Sequence, residues 1–105
     1  MLPTIHLIRN MSETKDFEAI GRYHDAFERV NALTVERHNL AGAISGLLQE
    51  ATIITSSNTS VRKFNHDELA AKVDQLAGIN LQLELAINEV NAAAQAAGKP
   101  AIKRI

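Results

Sequence analysis

The chain has no cysteine and no tryptophan, only two prolines, and aromatic residues fill just 4 % of its 105 positions. Without cysteine there is no disulfide scaffold, no thiolate metal site and no cysteine nucleophile. Charge of one sign is also missing: 11 Lys and Arg stand against 12 Asp and Glu, a formal net charge of −1. That balance excludes a polybasic binder of nucleic acid or membrane surfaces and an acidic disordered tail. No run approaches the ~18 uncharged apolar residues that a membrane-spanning helix needs. The opening residues, MLPTIHLIRN, lack the basic region and small-residue cleavage site of a secretory leader. The expected location is therefore the cytoplasm, or a virion or host cytoplasm for a protein of phage origin. What the chain does have is 46 % hydrophobic residues, mostly Ala, Leu, Ile and Val. These suit helices packed along seams, in one domain by length.

The chain divides into five parts. Residues 1–11, with Pro3 and the β-branched run from Thr4 to Ile8, read as an extended N-terminal arm. A helix is expected over 12–51, with Ser12 ahead of Glu13 and Asp16, acids that suit the positive end of the helix dipole. A connector, 52–64, switches to Thr, Ser, Ile and Val, which are poor helix formers. A second helix is expected over 65–98. Asn65 and Glu68 have capping-box spacing, with Phe64 and Leu69 at staple positions. Gly98 is its stop, with Pro100 just beyond, and 99–105 is a C-terminal tail.

The strongest signal lies in the second helix. Leu69, Val73, Leu76, Asn80, Leu83, Ile87, Val90, Ala94 and Ala97 alternate four- and three-residue steps without error. Such heptads predict a coiled-coil seam with Asn80 at a core position. The first helix carries a rougher stripe: Phe17, Ile20, Tyr23, Phe27, Val30, Leu33, Arg37, Leu40, Ile44, Leu47 and Ala51. Its mean step of about 3.4 residues predicts local overwinding. Folding the helices back through the connector pairs residues whose numbers add to about 117. That register sets Arg37 opposite Asn80, the two polar interruptions of the seams. The coincidence favours an antiparallel hairpin over the alternative, a parallel dimer through the second helix.

A hairpin leaves apolar surface over. The second helix carries a further strip of Ala71, Gly78, Leu81, Leu85 and Ala92, and the first has Gly42 and Gly46 in GAISG, which permit close approach of a backbone. Self-association accounts for both. The connector has two readings, a polar loop or a small β-hairpin in which TIIT pairs with SVRK, with Ile53, Ile54 and Val61 free to meet a partner. Arms at the two termini, Leu2, Ile5, Leu7 and Ile8 beside Ile102 and Ile105, are a further route to a neighbour.

Chemistry is sparse. His24 with Glu28 offers two ligands on one helix face, not the two-histidine HExxH spacing, and His24, Asn31 and His38 read as the polar edge of the seam. There is no Gly-rich phosphate loop, no nucleophile elbow and no catalytic triad order. No catalytic residue, cofactor or metal site is expected, and the chain is not expected to be an enzyme. Arg62 and Lys63 in the connector and Lys99, Lys103 and Arg104 at the end are too few and too divided to draw nucleic acid.

The helix–connector–helix plan resembles in outline that of prefoldin-like chaperone subunits, and the resemblance stops at the plan. The expected fold is all-α: two long antiparallel helices in a coiled-coil-like hairpin that oligomerises. The expected function is that of a non-catalytic homo-oligomeric assembly or adaptor protein, of the kind used in phage or secretion machines. Its partner is itself, or another protein through the termini or connector, with Arg37, Asn80, Leu81, Leu85, Ile53 and Ile54 as interaction residues. The alternatives are a holdase gripping clients with the connector tip and an accessory nucleic-acid binder.

Overall fold

A computed structural model describes the backbone of residues 2–105 and the side chains of residues 17–105. It consists of two α-helices, α1 (Leu2–Ala51) and α2 (His66–Ala97), and the described residues include no strand. The expected extended arm over 1–11 is therefore corrected: the backbone is helical from Leu2. Pro3 falls in the first turn, where a missing N–H removes no intrahelical bond and the fixed φ is already helical. No glycine or second proline intervenes before Gly21, and Thr4, Ile5 and Ile8 each weaken a helix by only a few tenths of a kcal/mol. The side chains of Leu2, Ile5, Leu7, Ile8 and Ser12, with the anchoring and capping roles expected of them, lie outside the described residues.

The chain forms two units. One joins Met1–Asn31 to Leu83–Ile105, and the other is Ala32–Gln82. In the first, α1 and α2 run antiparallel, tied by the Arg29–Glu89 ion pair. Its core holds Ala19, Tyr23, Ala26 and Val30 from α1 against Leu83, Ala86, Ile87, Val90, Ala93, Ala94 and Ala97 from α2. The α1 seam thus differs from the expected stripe. Phe17 is 72 % exposed, and Ile20 and Phe27 are half-buried. With Ala19 and Ala26 in place of those three, the seam steps alternate four and three without a break, and no overwinding is required. Small residues fill this core because alanine pairs let helices approach closely, which a row of phenylalanines would prevent.

α2 ends at Gly98, whose φ of 65° lies in the left-handed region where a Cβ is penalised. The Gly98 N–H donates to the Gln95 carbonyl (3.2 Å) and the Lys99 N–H to the Ala94 carbonyl (3.0 Å). These are the two bonds of a Schellman stop.

In the second unit the chain reverses through residues 52–65. The reversal is a hydroxyl-tied loop, which settles the two readings against a β-hairpin. Thr55 Oγ1 donates to the Ser57 carbonyl (2.9 Å) and lies 2.5 Å from that of Ser60, and the Ser60 N–H donates to the Ser57 carbonyl (3.5 Å). Arg62 pairs with Glu50 at 2.7 Å across the mouth of the loop. Serine and threonine hydroxyls here satisfy the backbone groups that a ladder would otherwise take. Asn65 caps α2 as expected, its Oδ1 accepting the Glu68 N–H at 3.0 Å. Beyond the turn, Arg37 Nη1 donates to Asn80 Oδ1 at 3.0 Å, in the antiparallel register read from the two seams.

Candidate interaction surfaces

Within the 32–82 unit the seam residues Leu33, Leu40, Ile44, Leu47, Leu69 and Leu76 are only half-buried, and Val73 is 47 % exposed. The Arg37–Asn80 bond is itself exposed. Both residues line a shallow groove of about 640 Å³, with Ala41, Val73, Leu76 and Ala77 giving apolar surface and Thr34 and His38 further polar groups. Such a groove offers aliphatic surface with polar anchors. This chemistry suits a helix face.

The connector presents Ile54 at 93 % and Val61 at 94 % exposure, with Ile53 also exposed. Of the further strip, Ala71, Gly78 and Leu81 belong to this unit, Leu85 and Ala92 to the other, and each is exposed within its own unit. A Cβ built on Gly42, Gly46 or Gly78 meets nothing within 4 Å. The close backbone approach that GAISG permits is therefore unused inside one chain.

The other unit has a smaller hollow of about 510 Å³, lined by Arg22, Asp25, Arg29 and Glu89 over Ala92, Ala93 and Ala96. His24 stands edge-on to the Tyr23 ring, with centroids 5.6 Å apart. Among the described residues no three His, Asp or Glu side chains gather as metal ligands would.

One arrangement in this unit escaped sequence reasoning. The 99–105 segment, read above as a tail or arm for a neighbour, is held by its own helices, beyond the Lys99 N–H of the helix stop, at Pro100, Ile102 and Arg104. The buried Tyr23 donates its hydroxyl to the Pro100 carbonyl at 2.9 Å. Asn91 grips both sides of Ile102, its Oδ1 accepting the backbone N–H at 2.7 Å and its Nδ2 donating to the carbonyl at 3.1 Å. Arg104 donates to Glu84 (2.6 Å) and to Asn88 Oδ1 (2.7 Å). The signal in the sequence was slight. Asn91 is a polar side chain at the edge of an alanine-rich seam, and Gly98 with Pro100 turns the chain back.

No helix among the described residues is long and apolar enough to cross a membrane. Comparison with protein-family models, with characterised proteins and with solved structures finds no match for this chain.

Proposed function

We propose that the protein is a non-catalytic helical assembly or adaptor subunit that works as a homo-oligomer, with α1 and α2 pairing as a coiled-coil hairpin inside each subunit. The observation that carries this reading is the division of the core. Among the described residues every buried hydrophobic one, from Ala19 to Val30 and from Leu83 to Ala97, belongs to one unit, and the 32–82 unit has none. A helix pair whose seam stays half wet gains little from burial, and two-helix packing is completed in stable proteins by further helices. The aliphatic groove beside Arg37 and Asn80 and the exposed Val35, Leu48 and Leu81 match the chemistry of a second copy. A structural part of a phage or secretion machine is the class of role that such a subunit fills.

Light scattering coupled to size exclusion at micromolar concentration tests the reading. A molar mass of two or more chains is expected, and a monomer across the accessible concentration range overturns it. Leu81→Glu and Leu85→Glu should each yield smaller species that keep helical circular dichroism; unchanged mass for both removes the strip from the interface.

A second reading, a holdase that grips clients with the connector, draws on the near-complete exposure of Ile54 and Val61. It requires the wild type to suppress aggregation of a denatured client and the Ile54→Ser/Val61→Ser variant to fail.

A further inference from the structure

In the unit that joins 1–31 to 83–105, α1 carries a stripe of alternating charge: Glu18, Arg22, Asp25 and Arg29. Each stands one residue before a seam residue, Ala19, Tyr23, Ala26 or Val30, so the stripe keeps the period of the seam and lies about 100° around the helix from it. All four side chains are exposed. Arg22, Asp25 and Arg29 line the hollow of about 510 Å³ together with Ala92, Ala93 and Ala96 of α2. Arg29 reaches across to Glu89, whereas none of the ion pairs among the described residues includes Glu18, Arg22 or Asp25.

We infer that this side of the unit meets the same side of a second copy, α1 on α1 and α2 on α2, each pair antiparallel about one two-fold axis. The inference rests on the homo-oligomer reading and adds to it a face other than the 32–82 groove. The stripe is self-complementary about one point. With the axis level with the Tyr23–His24 peptide, Arg22 meets Asp25 of the second copy and Arg29 meets its Glu18, and symmetry repeats both pairings. The alanines mark the same level. Ala92–Ala96 is centred on Ala94, which falls within one residue of Tyr23 in the register of the Arg29–Glu89 pair. Small side chains there let the two α2 helices come close enough for the flanking charges to meet. The alternation selects a second copy as the occupant. A uniformly acidic or basic surface would meet repulsion along half of the stripe, and a copy turned to set α1 over α2 would leave Arg22 and Asp25 facing alanines. Exposed ion pairs contribute little affinity, so the charges set register and orientation while the alanine face supplies burial.

The test exchanges charges in full-length chains. Arg22→Glu sets acid against acid at this level, and Asp25→Lys sets base against base. Each variant alone should keep its helical circular dichroism and, by light scattering, show smaller species or a dissociation constant weaker by about tenfold or more. Mixed in equal amounts, one acidic chain and one basic chain, the two should regain the wild-type mass. The chain has no native cysteine, so Ala92→Cys, within one turn of the axis on α2, should be joined in pairs by a short bismaleimide, and adding Arg22→Glu should suppress that product. The Ala92→Cys product alone decides the matter should a charge reversal disturb the fold. A wild-type oligomer whose mass neither reversal lowers, which the mixture fails to restore, or which gives no Ala92→Cys product overturns this contact and leaves the assembly reading standing. A wild-type monomer at every accessible concentration overturns both.

Discussion

At the scale of single residues, the best-determined feature is a handful of polar side chains that hold backbone in place. Asn91 gives Ile102 two hydrogen bonds in a partly buried setting. A net bond of this kind contributes about 1 kcal/mol, so Asn91→Ala should weaken the docking of the 99–105 segment by about 2 kcal/mol. Hydrogen exchange at the Ile102 amide reads this directly: protection should fall by an order of magnitude or more, while amides in the middle of α2 keep theirs. Gly98 acts through conformation instead. Its φ of 65° costs any L-residue with a Cβ about 1 kcal/mol, although the space around it is open. Gly98→Ala should lower the urea midpoint by a corresponding amount, whereas Gly21→Ala, in a helical conformation, should raise it.

At the scale of the helices, strength and legibility go together. The α2 start was legible because capping chemistry is local. Asn65 meets the Glu68 N–H, and Asn65→Ala should cost about 1 kcal/mol by denaturant titration. The α2 stop was legible for the same reason: one glycine followed by a proline two residues on. The Arg37–Asn80 pair was found because two polar interruptions in otherwise regular seams have few ways to agree. The α1 seam was misread by weight. Phe17 and Phe27 attract attention as large apolar groups, yet side-chain size says nothing of phase, and the positions that keep the alternation are Ala19 and Ala26. Helix onset at Leu2 was hidden by β-branched residues whose local preference is weaker than the absence of any breaker. The docked 99–105 segment was illegible because its contacts join residues up to 77 positions apart. Asn80→Ile tests the polar pair as an element of design. Within one chain Asn80 is exposed, contrary to the core position expected for it. Only a covering second copy would make it a polar core position, which favours register at the expense of stability. In that assembly the variant should melt higher and show a broader distribution of species by light scattering. A lower melting temperature with an unchanged mass would contradict that role.

At the scale of the whole molecule, the division of labour between the two units bears on function. The unit of 1–31 and 83–105 has an alanine-rich core and its own strap, and the 32–82 unit has an open seam, three exposed glycines with free space above them, and a connector that exposes Ile53, Ile54 and Val61. Glycine inside a helix weakens it by about 1 kcal/mol relative to alanine, and no neighbour within the chain needs the room at Gly42 or Gly46. Their presence has a use if another copy's backbone lies against them. The Gly42→Ala/Gly46→Ala variant separates the two effects. For a chain that works alone, both substitutions only raise helix propensity, and the melting temperature should climb with no change in mass. For the assembly proposed here, each added methyl stands where a second backbone must come close. Helical circular dichroism should then hold or strengthen while the molar mass falls and the melting temperature becomes independent of protein concentration. Molar mass and melting temperature measured on the same samples, over a tenfold range of concentration, decide between these outcomes.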